Sequence, residues 1–446
     1  MTDLYELTMA AAYFERHVDC RATFELSIRH LPPERSYLVA AGVESTIDYL
    51  EQLRFGGNDI EFLREQPAFR SVSDGFFEYL REFRFTGEVN AVDEGSLIFA
   101  EEPIIQVTAP IIEAQIVETF LLSLVNYETL VASKAARIVS AARGRAVLEF
   151  GSRRAHGPEA GVRAARAAYV GGCAATSNVL AGQLYGIPLA GTAAHSWTQV
   201  FPTERESFEA LLDVFPETAI LLIDTYDPFA AAEIVAALGR KISGVRIDSG
   251  DLHEVSRRVR EILDRGGARA TKIVASGDLN EHKIEALVQE GAPIDSFGVG
   301  TDLATSRDVP ALVAVYKLVE LERNGQIEYK TKFSPEKVIW PGRKQVFRVY
   351  RGGAMEFDLI GLASENIAQG EPLLHRVIEN GRRIATRERI EEVRAIVKKN
   401  LERLPEVFHA LRGAPSYPVR KSAGLQRLLE IVREQNPAGR RDSTPA

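Results

Sequence analysis

Three short segments of the sequence end apolar runs in residues that can do chemistry. They are V-L-E-F-G-S-R-R at 147–154, G-G-C-A-A-T-S-N at 171–178 and I-P-L-A-G-T-A-A-H at 187–195. The first offers an aromatic face and a guanidinium, Phe150 and Arg153. The second offers hydroxyls and an amide, Thr176, Ser177 and Asn178. The third offers a hydroxyl and an imidazole, Thr192 and His195. Farther on the pattern repeats, with Asp224 and Asp227 after 219–223 and Arg246, Asp248, Ser249 and Gly250 after Val245. Ser276, Gly277 and Asp278 follow 273–275, and Gly298, Gly300 and Thr301 follow Phe297. Glycines let a backbone approach a ligand closely, and helix N-terminal amides attract phosphate. Ser276, Gly277, Gly298, Gly300 and Thr301 therefore suit a phosphate group. Asp224, Asp248 and Asp278 suit ribose hydroxyls or a Mg²⁺-bound diphosphate.

Taken singly, each feature has a plainer explanation. G-V-G-T is a common tight turn, Asp227 and Asp251 fit helix caps, a lone histidine is usually structural, and Phe150 by itself fits a core. Arg163 and Arg166 fit a solvated helix face. The repeated placement of one kind of residue at the ends of six expected strands is what points to a site, because α/β barrels carry function on the loops after their strands.

The elements that must position these residues follow from the hydrophobic pattern. Strands are expected from about 147, 187, 219, 244, 272 and 295, with helices between. Ala219–Ile223 is continuously apolar, as a parallel strand covered on both faces should be. Thr203 to Glu206 has capping-box spacing, Asp227-Pro228 starts a helix and Gly239 ends it. Before this region an α+β pattern is expected. It has a helix over 2–13 capped by Thr2 or Asp3, an alternating strand over 22–28, helices over 43–53 and 57–84, strands near 88–92, 97–100 and 104–108, and a helical period over 111–142. After about 310, hairpins are expected around Asn324-Gly325 and Gly352-Gly353. The expected organisation is an N-terminal α+β domain over 1–130 completed by 311–380, an α/β barrel over 131–310, C-terminal helices over 381–435 and a disordered tail over 436–446.

Composition bounds the function. The chain has 446 residues, 45% hydrophobic and 26% charged, and a formal net charge of −8. That balance is ordinary for a globular protein and argues against general nucleic-acid binding. Two cysteines, Cys20 and Cys173, allow no disulfide framework or cysteine-rich metal site, so a cytoplasmic location is expected. The acidic N-terminus does not read as a signal peptide, and no apolar run reads as long enough to span a bilayer.

In combination the segments resemble the nicotinate phosphoribosyltransferases, of the type II phosphoribosyltransferase family. The matching stretches are T-D-L-Y-E-L-T-M at 2–9, E-F-G-S-R-R-A-H-G at 149–157, G-T-A-A-H-S-W at 191–197, R-I-D-S-G-D at 246–251, S-G-D at 276–278 and F-G-V-G-T at 297–301. They fall in family order from residue 2 to about 320, and nothing carries over beyond 380. The resemblance implies an irregular (β/α) barrel with a discontinuous N-terminal α+β domain. It implies a reaction of nicotinate with phosphoribosyl diphosphate in NAD biosynthesis, coupled to ATP hydrolysis through a phosphohistidine at His195, with Mg²⁺ on the diphosphate. It implies Asp248 as a catalytic residue, Phe150 and Tyr5 as a sandwich for the pyridine ring, Arg246 as a fork for the carboxylate, and Ser177 and Thr192 as neutral donors. Arg29, Arg153 and Lys134 would neutralise phosphates. It also implies a homodimer with shared sites, in which Tyr5 and Arg29 come from the partner subunit. In the related nicotinamide enzyme the position matching Ser177 is an aspartate, which would repel a carboxylate. Related transferases for nicotinamide or quinolinate, a non-catalytic nucleotide-binding sensor, and an unrelated sugar-phosphate barrel are the competing readings.

Overall fold

The computed structural model describes residues 1–332 and 338–435. The tail expected at 436–446 lies outside the described residues. Two compact units emerge: Met1–Thr129 joined by the chain from Ala311 onward, and Leu130–Pro310. The C-terminal helices Ile390–Arg403 and Ala423–Gln435 belong to the first unit.

The first unit is built on a seven-stranded antiparallel sheet. Its strand order is Gln326–Tyr329, Ala314–Arg323, Arg21–Ile28, Pro103–Pro110, Glu88–Val92, Leu374–Glu379 and Arg382–Arg383. The central Arg21–Ile28 strand pairs with Pro103–Pro110 on one side and Ala314–Arg323 on the other, so the domain is completed by chain far along the sequence. Asn324 and Gly325 both have positive φ, 51° and 76°, as a two-residue hairpin turn of the favoured twist demands. The strands Lys344–Arg351 and Ala354–Leu362 instead form a separate four-stranded sheet with Glu371–Pro372 and Val419–Lys421. The first helix runs Leu4–Glu15. Asp3 stands at its N-cap position without capping it, because its carboxylate accepts from the Thr119 hydroxyl at 2.7 Å.

The apolar helical stretch Ile111–Ala141 is long and apolar enough to cross a membrane, which corrects the reading that no such run exists. Of its most apolar window 61% is buried, and it encloses Lys134 and Arg137 in ion pairs with Glu281 at 2.7 and 3.2 Å. Lipid-facing surface would be a poor place for either cation; the stretch serves as a core helix.

The second unit holds a six-stranded sheet, entirely parallel, in the order Ala175–Thr176, Ala146–Glu149, Ser296–Val299, Lys272–Ala275, Gly244–Ile247, Ile220–Leu222. Each strand leads into a helix on its way to the next, and no pairing of the two edge strands closes the ring among the described residues. The barrel is thus an open one. Val245, Ile247, Ile273, Phe297 and Val299 are buried, as the continuous apolar runs require. The expected strand at 187 is reduced to a single bridge between Thr176 and Leu189, and the two-residue strand Ala175–Thr176 takes its place beside Ala146–Glu149. Asp227 and Asp251 do cap their helices, accepting from the backbones of Phe229 and Ala230, and of His253 and Glu254. Arg166 is not on a solvated face: it is 6% exposed, its guanidinium over the Tyr185 ring.

Candidate active site

The parallel sheet delivers its strand ends to one edge, and the polar side chains there bond to one another across strands. Arg246 leaves the Gly244–Ile247 strand and reaches back over the 192–193 loop. Its Nη1 donates to the Thr192 hydroxyl and, at 3.3 Å, to the Ala193 carbonyl; its Nη2 lies 3.1 Å from Asp248 Oδ1. Asp248 Oδ1 also accepts from the Ser276 hydroxyl. Asp224, at the end of the neighbouring strand, accepts from the Asp248 amide at 2.8 Å and the Ser249 hydroxyl at 2.6 Å, both through Oδ2. Four loops are therefore tied by Arg246, Asp248 and Asp224.

The electrostatics are set by this packing. Burial would push the Asp248 carboxyl up, but the Ser276 hydroxyl, the Arg246 guanidinium and His195 outweigh it and hold its pKa below the usual carboxylate value. Asp248 is therefore an anion at neutral pH. Two buried atoms of the cluster have no hydrogen-bond partner: Asp224 Oδ1 and Arg246 Nε. Unspent donors and acceptors of this kind are rare in folded interiors and mark places where a ligand can complete the bonding.

His195 opens the short helix His195–Val200, with its Nδ1 3.2 Å from the Thr225 hydroxyl. Sequence reasoning misses Thr225: the D-T-Y-D run after 223 sets it beside Asp224, but threonine in a turn carries no signal of its own. The Ser276–Gly277–Asp278 loop sits hard on the loop that follows Ile247. Gly277 has φ +98°, and a Cβ there would collide with the Asp248 carbonyl, so this approach requires glycine. Together these loops line a cavity of ≈ 550 Å³ that includes Asp248, Gly250, His253, Ser276, Asp278 and Lys283.

Phe150 lies across the Ser296–Val299 strand. A Cβ at Gly298 would come within 2.6 Å of its ring, so the ring position depends on glycine there. Its amide donates to the Val299 carbonyl at 2.8 Å. Gly300 packs against the Phe150 carbonyl, 3.3 Å from where its Cβ would be. Ser177 is exposed and anchored through its amide to the Glu149 carbonyl at 3.0 Å. Asn178 caps the helix Val179–Tyr185 and donates to the Ser152 hydroxyl at 3.0 Å. Arg153 is exposed on the turn Ser152–Arg154, and Thr301 opens the helix Thr301–Ala304.

The remaining expected site residues are Lys134, Tyr5 and Arg29. Lys134 is 2% exposed, and its ammonium holds Glu281 at 2.7 Å and Asp308 at 2.8 Å. A phosphate would have to compete with two carboxylates already in contact. Tyr5 and Arg29 belong to the other unit. Tyr5 is 46% exposed, and partial burial together with the Glu118 charge pushes its phenol up to about 12. Arg29 follows the Arg21–Ile28 strand and lines a small cavity with Glu25, Lys317 and Lys344.

Three comparisons bear on this arrangement. The family model described as the nicotinate phosphoribosyltransferase (NAPRTase) family matches residues 146–331, and the N-terminal and C-terminal domain models of the same enzymes match 1–126 and 368–429. The chain is 45% identical over 98% of its length, and 94% of the relative's, to "Nicotinate phosphoribosyltransferase pncB2" of Mycobacterium tuberculosis. It is 39% identical over 96% of its length and 95% of the relative's to "Nicotinate phosphoribosyltransferase" of Bacillus subtilis. Among solved structures, human nicotinic acid phosphoribosyltransferase superposes with a TM-score of 0.86 at 30% identity, covering 97% of this chain and all of that one. Nicotinate-nucleotide pyrophosphorylase from Pyrococcus furiosus gives 0.75 at 26% identity, covering 90% and 95%. Sequence, domain order and backbone agree, and the chain belongs to the nicotinate phosphoribosyltransferase family.

Proposed function

We propose that this protein joins nicotinate to the ribosyl group of phosphoribosyl diphosphate, a step of NAD biosynthesis. The pyridine nitrogen lone pair forms the bond to ribose C1, and the C1–oxygen bond breaks with its electron pair leaving on diphosphate. Charge develops on the ribose as this bond loosens, so positioning and electrostatic stabilisation do most of the work. The observation that carries the reading is the strand-end network of Arg246, Asp248, Ser276 and Asp224, with an ionised Asp248 at its centre. Asp248 supplies the negative charge that an oxocarbenium-like ribose needs. Phe150 offers the ring a stacking face, Arg246 Nε a donor for its carboxylate, and Ser177 a neutral neighbour that does not repel it. The 276–278 and 298–301 loops suit the phosphates.

His195 is the residue assigned to carry the phosphoryl group from ATP. Its ring is held by Thr225 at one nitrogen, leaving the other to act as the nucleophile. Mg²⁺ enters with its substrates: among the described residues no group of three or more His, Cys, Asp or Glu side chains converges as a metal cage. The paired aspartates 224 and 248 suit a metal already held by diphosphate. The two cysteines, both buried free thiols, support a cytoplasmic setting.

Product formation from phosphoribosyl diphosphate with nicotinate, nicotinamide or quinolinate, each with and without ATP, tests the reading. Nicotinate should be the strongly preferred base and ATP should accelerate its use. Preference for another pyridine, or diphosphate release that ignores the base, would overturn it.

The same reading includes a homodimer in which each site takes His195, Phe150, Arg153 and Arg246 from one chain and Tyr5 and Arg29 from the other, since a two-fold dimer can supply each barrel mouth with a lid. Co-refolded Tyr5→Ala and His195→Ala proteins should regain roughly a quarter of wild-type activity, because half of randomly paired dimers are mixed and each mixed dimer has one intact site. Mixed dimers without recovery would contradict shared sites.

A further inference from the structure

Glu149 ends the Ala146–Glu149 strand with no part of its side chain exposed, directly behind Phe150. A buried carboxylate needs partners, and here both oxygens are spent on different loops. Oε1 accepts the Gly151 amide, which begins the segment carrying Arg153. Oε2 accepts the Thr176 hydroxyl at 2.6 Å, at the head of the segment carrying Ser177. Thr176 Oγ1 in turn accepts the Asn178 amide at 3.0 Å, and the Glu149 carbonyl accepts the Ser177 amide at 3.0 Å. The carboxylate is thus part of a chain of bonds, Gly151 to Glu149 to Thr176 to Asn178, across the two loops that bear Phe150 and Ser177.

The surroundings leave these loops little freedom to take up slack. A Cβ at Gly151 would collide with Ala304 and come within 2.7 Å of the Gly300 carbonyl, so the Gly151 amide cannot swing toward the Thr301–Ala304 helix. Thr176 is fully buried, and its own amide and carbonyl are taken by Pro188 and Ala190, both at 3.0 Å. The side-chain bridge through Glu149 sets the spacing of one loop against the other together with the Ser177 amide bond to the Glu149 carbonyl and the Asn178 bond to the Ser152 hydroxyl. Burial raises the Glu149 pKa, and the Thr176 hydroxyl and Gly151 amide offset part of that rise.

We propose that Glu149 and Thr176 act as a positioning pair, touching no substrate, that fixes the width of the slot between Phe150 and Ser177 and so tunes recognition of the aromatic base rather than of the sugar diphosphate. The inference rests on the functional reading above, in which Phe150 and Ser177 flank the pyridine. Phosphate-binding loops at 276–278 and 298–301 lie on other strands and take no bond from the Glu149 carboxylate.

The full-length enzyme carrying Glu149→Gln, Thr176→Val or both tests it. The glutamine keeps the size of the side chain but has one acceptor oxygen in place of two, so either the Gly151 or the Thr176 bond is lost whichever way its amide is turned, and the valine removes the hydroxyl at constant shape. Each single variant should raise the KM for nicotinate about tenfold, the usual scale for losing one charge-assisted hydrogen bond, with kcat and the KM for phosphoribosyl diphosphate within about twofold. Both variants break the Gly151–Glu149–Thr176 bridge and Thr176→Val also strands the Asn178 amide, so the double variant should resemble Thr176→Val, whereas independent losses would multiply. Equal rises for both substrates, multiplying effects, or no change would overturn the proposal. Amide hydrogen exchange of the ligand-free proteins is the second readout: exchange should quicken in both 150–156 and 177–182. Quickening in one segment alone, or in neither, contradicts a bridge. If Glu149→Gln fails to fold, Thr176→Val carries the same expectations. A wild-type enzyme inactive on nicotinate would overturn the functional reading, while the exchange experiment would still decide whether the bridge exists.

Discussion

Two clusters of buried charge, one in each unit, are completed to different degrees. In the first, Arg348 is 1% exposed and faces Asp358 edge-on, with Nε 3.0 Å from Oδ1 and Nη2 2.6 Å from Oδ2. Nη2 also donates to the Leu97 carbonyl, and the Tyr417 hydroxyl donates to Asp358. Lys344 spends all three protons, on Glu25 and on the carbonyls of Trp340 and Gly342, each at 2.7–2.8 Å. These groups complete one another within the fold. At the strand ends of the second unit, Arg246 and Asp224 are also largely buried, yet each keeps an atom without a partner. The lesson is that burial and ion pairing do not by themselves mark a site; unfinished hydrogen bonding at converging strand ends does.

The sharpest way to break this contrast is at His195. His195→Ala should abolish coupled ATP hydrolysis and acid-labile phosphate on the protein, while thermal unfolding stays within a few degrees of wild type, because the residue is partly exposed and makes one side-chain hydrogen bond, with Thr225. Retained coupling would remove His195 from the mechanism. In the opposite direction, Asp358→Asn should destabilise the protein by about 3–5 kcal/mol, since it strands a buried guanidinium, and leave turnover per folded molecule unchanged. Chemical denaturation alongside activity measures both.

A smaller effect separates recognition of the base from recognition of the sugar. Ser177→Asp should weaken nicotinate use by about 1–3 kcal/mol, the size of a like-charge interaction in a partly desolvated site, and affect phosphoribosyl diphosphate less. Equal losses would make position 177 structural. The smallest effect is a pH dependence in the first unit. Glu102 is buried beside Asp358; burial first, and then the Asp358 charge, hold its pKa well above the ordinary glutamate value, while one oxygen accepts the Phe99 amide at 2.8 Å. A carboxyl raised in the folded state contributes its stability below the unfolded pKa, and that contribution drains away as pH rises toward the folded one. Glu102→Gln should therefore gain stability relative to wild type between pH 5 and pH 8. Parallel melting curves at the two pH values would show no such divergence if Glu102 were ionised.

The fold and part of the candidate site were legible in the sequence, the buried charge clusters were not, and what was hidden has physical causes. The runs Ala219–Ile223 and Ile273–Ala275 announced parallel strands because covered strands need apolar residues on both faces, and the polar residues that follow announced a common edge. The two-residue strand Ala175–Thr176 was absent from the expected strands, although the polar cluster that ends it was singled out, because alanine has little preference for strands and two residues make no pattern. Arg166 was misjudged because side-chain burial on a helix depends on which neighbour packs there, here the 179–185 helix with Tyr185. Thr225 and Glu149 had no signal as single residues; only the distance from His195 to one and from Gly151 and Thr176 to the other reveals them. The ion pairs of Lys134 were likewise hidden, since Glu281 and Asp308 stand far away in sequence.

The most direct test of the account is nicotinate-dependent diphosphate release measured side by side for wild type, Asp248→Asn and Asp358→Asn, each per folded molecule. Both substitutions replace a carboxylate paired with arginine by the same neutral amide. The account predicts that Asp358→Asn keeps wild-type turnover, while Asp248→Asn loses about 10²–10³-fold, the scale for removing one preorganised electrostatic group. Full turnover by the Asp248→Asn enzyme, or an equal loss in the Asp358→Asn enzyme, would contradict it.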